Sequence, residues 1–88
     1  MIRMECRKLD ATGTEKIVSV EEPWMAPDEY VNTYFKGDAG SVVFVEVRPV
    51  GTEQWTLWRV EWLGPTSYLT DKASYEDARA EIGEHAPS

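Results

Sequence analysis

Side chains that could perform chemistry are few in this chain of 88 residues, which holds one histidine and one cysteine. His85 falls in a terminal stretch, 83–88, that is expected to fray. A general base needs fixed geometry within hydrogen-bond reach, which a frayed end does not supply. Cys6 shares one side of a strand pattern with Ile2 and Met4, so a buried core thiol is expected rather than a nucleophile. One cysteine and one histidine can form neither an intrachain disulfide nor a Cys/His metal cluster. The run Lys36-Gly37-Asp38-Ala39-Gly40-Ser41 carries glycines, but it leaves a helical pattern and enters a strand. Phosphate-cradling loops run the other way, from strand into helix. An enzyme would have to work with carboxylates and tyrosines alone, and no pair of them has a defining spacing. The sequence therefore reads as non-enzymatic, with no cofactor.

Carboxylates are the other chemical resource. The formal net charge is −7. Glu21, Glu22, Asp28 and Glu29 crowd one stretch, and Glu76, Asp77, Glu81 and Glu84 form a second. On a helix with a pitch of about 5.4 Å, carboxylates at 77, 81 and 84 would make a regular negative row. Such a row resembles a phosphate strand and could occupy a basic groove; equally, it could be an ordinary solvated face. A calcium site has little support, because no D-x-D-x-D-G loop is present. The negative charge opposes direct binding to nucleic acid and to anionic lipid, and favours basic partners.

These side chains are positioned by a pattern of strands and two helices. Hydrophobic content of 42% suits a folded globule rather than a disordered chain. Ile2, Met4 and Cys6 alternate with Arg3, Glu5 and Arg7, the period of a half-buried strand over 2–9. Turn residues at 10–14 lead to a second strand over 16–22, ended by Pro23. Pro27, Asp28 and Glu29 open a helix that Lys36 and Gly37 close. Residues 42–48 and 55–62 form the strongest signal, a hairpin expected to turn at Gly51-Thr52. That turn pairs Val50 with Glu53, Pro49 with Gln54, Val47 with Thr56, Val45 with Trp58 and Val43 with Val60. A short strand is expected at 68–70, then a helix capped by Ser74, with Tyr75, Ala78 and Ile82 on its inner side.

The fold class that follows is α+β: one domain over 1–88, with an antiparallel sheet of four or five strands and two helices in the order β-β-α-β-β-(β)-α. Both helices are expected on one face, over the valine row, Trp58 and Trp62. The other face of the central hairpin carries Phe44, Glu46 and Arg48 against Arg59, Leu57 and Trp55. Arg48 should stack on Trp55 and Arg59 on Phe44. Trp24 is read as a core plug, with an exposed anchor as the alternative. Neither a signal peptide nor a membrane span is expected, since the longest apolar run is Val42–Val45. A cytoplasmic location is the simplest expectation.

The leading functional expectation is a small acidic binding protein that occupies a basic surface of a partner such as a nucleic-acid-binding protein. Its sharpest form is an inhibitor or nucleic-acid mimic of the phage or mobile-element type. The candidate partner-binding residues are Glu21, Glu22, Asp28, Glu29, Trp55, Glu76, Asp77, Glu81 and Glu84. One alternative is a homodimer or larger accessory assembly pairing through Phe44, Trp55 and Leu57. The other is a small-molecule binder using exposed tryptophans.

Overall fold

The computed structural model describes residues 1–35, 37–65 and 67–85, with the side chains of Glu84 and His85 left out of the description. Five antiparallel strands form one sheet, with a helix on each face. The strands are β1 (Ile2–Lys8), β2 (Lys16–Val20), β3 (Val42–Pro49), β4 (Thr56–Trp62) and β5 (Tyr68–Lys72). The helices are α1 (Ala26–Tyr34) and α2 (Tyr75–His85), and a short 3₁₀ turn over Pro23–Met25 leads into α1. The order across the sheet is β2-β1-β3-β4-β5. Of the terminal stretch 83–88, residues 83–85 belong to α2 and residues 86–88 lie outside the described residues.

The central register is the expected one: Val43 faces Val60, Val45 faces Trp58 and Val47 faces Thr56. The turn itself differs. Gly51, at φ 93°, is third rather than second in its turn, which the Thr52 N–H closes by donating to the Pro49 carbonyl at 3.1 Å. A glycine at the third position is what a positive φ there selects. The β3–β4 ladder therefore stops at Val47 and Thr56, and the pairs Val50–Glu53 and Pro49–Gln54 are not part of it. The end of β3 is held by β1 instead: Pro49 faces Met4, and the Val50 N–H donates to the Arg3 carbonyl at 3.1 Å.

The two helices lie on opposite faces, which corrects the expectation of one covered side. α1 sits over a core of Met4, Cys6, Val18, Val20, Val45, Val47, Val60 and Trp62, to which it adds Ala26, Tyr30 and Val31. α2 covers a second, smaller cluster of Phe44, Leu57 and its own Ala78, with Leu9 and Ala73 alongside. The reason is in the pleat. Phe44 and Leu57 alternate with the valine row, so their apolar surface needs a cover of its own. Glu46, Arg48 and Arg59 on the same face disguise that need as a solvent-facing pattern.

Helix ends follow local chemistry. β2 ends at Val20, two residues before its expected end, and Pro23 opens the 3₁₀ turn; Asp28 and Glu29 stand in the first turn of α1, where the helix dipole favours negative charge. α1 stops at Phe35, whose backbone is extended. A Cβ at Gly37 would fall inside the ring of buried Trp62, so only glycine lets the chain pass there. α2 is capped as expected, with the Asp77 N–H donating to Ser74 Oγ at 3.1 Å. Of its expected inner row only Ala78 is buried; Tyr75 and Ile82 keep exposed surface.

Candidate functional site

The charges are distributed unequally over the two faces. On the α2 side three arginines, Arg7, Arg48 and Arg59, are tied to the chain's own carboxylates, while Arg3 and Arg79 are exposed. Arg7 Nε meets Glu46 Oε1 at 2.9 Å and Arg48 Nη2 meets Glu5 Oε1 at 2.7 Å. Both guanidiniums also lie against the Trp55 ring, 3.9 and 4.2 Å from its centre. Glu46 is only 6% exposed, and its second oxygen accepts a hydrogen bond from the Tyr75 hydroxyl at 2.5 Å. A buried carboxylate with two strong donors is satisfied; without them it would be costly. Burial, reinforced by this bond to Glu46, pushes the Tyr75 hydroxyl up to about 12.

Arg59 is held in the same way. It donates to both oxygens of Glu81 and to Glu61 at 2.8–3.1 Å, and this pairing raises its pKa further. Among the described residues the expected stacking of Arg48 on Trp55 is present, whereas Arg59 reaches carboxylates instead of the Phe44 ring. The described lysines lie near rings: Lys8 over Phe35, Lys16 over Tyr34 and Lys72 over Trp58, at 4.7, 5.5 and 6.0 Å.

The expected negative row on α2 is thus broken. Glu81 turns toward the sheet and serves Arg59, Glu76 and Asp77 are exposed, and the Glu84 side chain lies outside the described residues. Trp55, expected among the binding residues, stacks on the chain's own arginines. Phe44 and Leu57, expected on an outward face, are 7% and 2% exposed beneath α2.

On the α1 side the arrangement is reversed. Trp24 is 60% exposed, so the reading of this residue as a core plug is corrected. Its 3₁₀ turn is three residues long and buries none of them, and so offers no inner side for an indole to fill. Trp24 borders a groove of about 400 Å³ that Met25, Asp28, Glu29, Asn32 and Tyr68 also line. No lysine or arginine is among the residues lining it. The groove wall is fixed to the edge strand: the Thr70 hydroxyl donates to Asp28 Oδ1, and the Tyr68 hydroxyl donates to Asn32 Oδ1 at 2.9 Å. Glu29 accepts from the Thr33 hydroxyl at 3.2 Å. Glu21 and Glu22, both exposed, lead the chain into the 3₁₀ turn. Among the described residues Glu21, Glu22, Asp28 and Glu29 make no ion pair.

Sequence reasoning singled out these four carboxylates but placed the tryptophan beside them in the core, with the exposed anchor only as its alternative. Its signal was local: an aromatic residue placed after a proline, with Glu21 and Glu22 just before it, in a segment too short for an amphipathic helix. No helix among the described residues is long and apolar enough to cross a membrane. Comparison with protein-family models, with curated proteins and with solved structures finds no match.

Proposed function

We propose that this chain is a small acidic, non-enzymatic binding protein that occupies a basic surface of a partner protein through the 21–29 segment. One observation carries the reading: the exposed Trp24 shares a groove with Asp28 and Glu29 that, among the described residues, no lysine or arginine lines. Exposed aromatic anchors dominate binding hot spots, and unpaired carboxylates around them steer a cationic partner. The α2 carboxylates are secondary in this scheme, because Glu81 is already engaged with Arg59. A nucleic-acid-binding protein is the partner that a net charge of −7 suits best, which makes an inhibitor or nucleic-acid mimic the sharpest form of the proposal. Pairing of two copies through Phe44, Trp55 and Leu57 is not favoured, since that face is occupied within the chain. A cytoplasmic setting suits a lone buried thiol.

The test is affinity capture from the source cells in low and high salt. Wild type is run beside a variant carrying Glu21→Gln, Glu22→Gln, Asp28→Asn and Glu29→Gln. A basic protein should be retained by wild type, released as ionic strength rises, and not retained by the variant. Capture that ignores both salt and the four substitutions would overturn the proposal.

A further inference from the structure

Trp24 and Trp55 both stand near carboxylates, and among the described residues cations stack on Trp55 but not on Trp24. At Trp55 two guanidiniums lie within 4.2 Å of the ring centre, and each is held by a carboxylate, Arg7 by Glu46 and Arg48 by Glu5. The indole offers its π face, and the carboxylate holds the guanidinium plane in place over it. At Trp24 the same parts are present without the cation. The indole is 60% exposed, and Asp28 and Glu29 line the groove with it. Among the described residues no Lys or Arg stacks on Trp24.

We infer that the groove at Trp24 takes an arginine side chain from the partner, stacked on the indole and paired with Glu29 at the rim. This inference rests on the proposed binding role and specifies the chemistry of that site. Arginine fits better than lysine for a physical reason. A planar, weakly hydrated guanidinium can stack and donate in its plane at once, whereas an ammonium is a compact and strongly hydrated charge. Asp28 is half-buried and accepts the Thr70 hydroxyl, so it anchors the wall, while Glu29 is exposed and accepts the Thr33 hydroxyl through Oε1, which leaves Oε2 as the outer acceptor. Trp24 also stands away from the core cluster, so removing its ring should leave the fold intact.

The experiment titrates the full chain with three short, end-blocked peptides: one alternating arginine and glycine, one with lysine for arginine, and one with citrulline for arginine. Affinities are measured by calorimetry in about 50 mM salt, where screening is weak. The arginine peptide should bind wild type roughly 10-fold more tightly than the lysine peptide, a ratio within the range of a cation–π contact. The uncharged citrulline peptide should not bind. Trp24→Ala should bring the arginine peptide down to the lysine level while thermal unfolding shows an unchanged fold. Glu29→Gln, which leaves the ring in place, should weaken the arginine peptide more than the lysine peptide. Equal affinity of wild type for the two cationic peptides would overturn this inference and leave the acidic-surface reading standing. So would an arginine preference that survives Trp24→Ala. Failure of both cationic peptides to bind wild type would overturn the inference and the acidic-surface reading together.

Discussion

Cys6 has no exposed surface, and burial, aided by the neighbouring Glu5 carboxylate, pushes its thiol from 9.0 up to about 12. The folded chain therefore keeps this proton at a pH where the unfolded chain has lost it. Below about pH 9 both states are protonated and the contribution to stability is complete; as pH rises toward 12 it is lost. Urea unfolding at graded pH should show stability falling above pH 9. Cys6→Ala should remove the first part of that slope, below the pH at which Tyr75 begins to contribute. A thiol reagent should leave native Cys6 unmodified and label it only on unfolding. Trp55 is the second residue with a distinct expectation. Its ring covers two ion-paired guanidiniums, so Trp55→Ala should cost about 1–2 kcal/mol of stability and leave the oligomeric state unchanged in light scattering. A dimer that dissociates on this substitution would restore the pairing of copies as a function.

The elements show why some of this was legible in the sequence and some was not. Strand alternation at 2–9 and across the central hairpin specifies register directly, because a slip of one residue sends every side chain to the other face. The Ser74 cap and the Pro23 break are equally local signals. The placement of α2 is not local. Among its described residues Ala78 is the one buried apolar side chain, and its ties include the Arg59–Glu81 pair and the Tyr75–Glu46 hydrogen bond, which join residues distant in sequence. For the same reason Glu81 read as one carboxylate of a surface row. The turn at Gly51 lies one residue from its expected place because β1, distant in sequence but next to β3 in the sheet, holds the end of β3. Gly37 gives the clearest test at this scale. It reads as a helix stop, yet the structure also requires it to pass the Trp62 ring. Gly37→Ala should destabilise the fold by about 1–3 kcal/mol, the usual cost of overpacking, in chemical unfolding. A combined Gly37→Ala, Trp62→Leu variant should recover part of the steric term.

For the whole molecule the decisive feature is where the cations go. Arg7, Arg48 and Arg59 are ion-paired on the α2 side, and Lys8, Lys16 and Lys72 lie over aromatic rings. The carboxylates at 21, 22, 28 and 29 keep a net negative surface beside an exposed indole, on the face where α1 crosses the sheet. The candidate site was half legible: charge density along the chain marked the carboxylates, whereas the exposure of Trp24 depends on the path of a 3₁₀ turn that no periodicity encodes. In the proposed role the 21–29 segment, and not the α2 stripe, is the binding face. The direct measurement compares the salt dependence of binding to the arginine–glycine peptide for wild type, the fourfold neutralised 21–29 variant, and a Glu76→Gln, Asp77→Asn variant. Wild type and the α2 variant should lose affinity in parallel as salt rises, while the 21–29 variant binds weakly at all salt concentrations. Equal losses from both sets of substitutions, or wild-type affinity that ionic strength leaves unchanged, would show that this face does not direct the interaction.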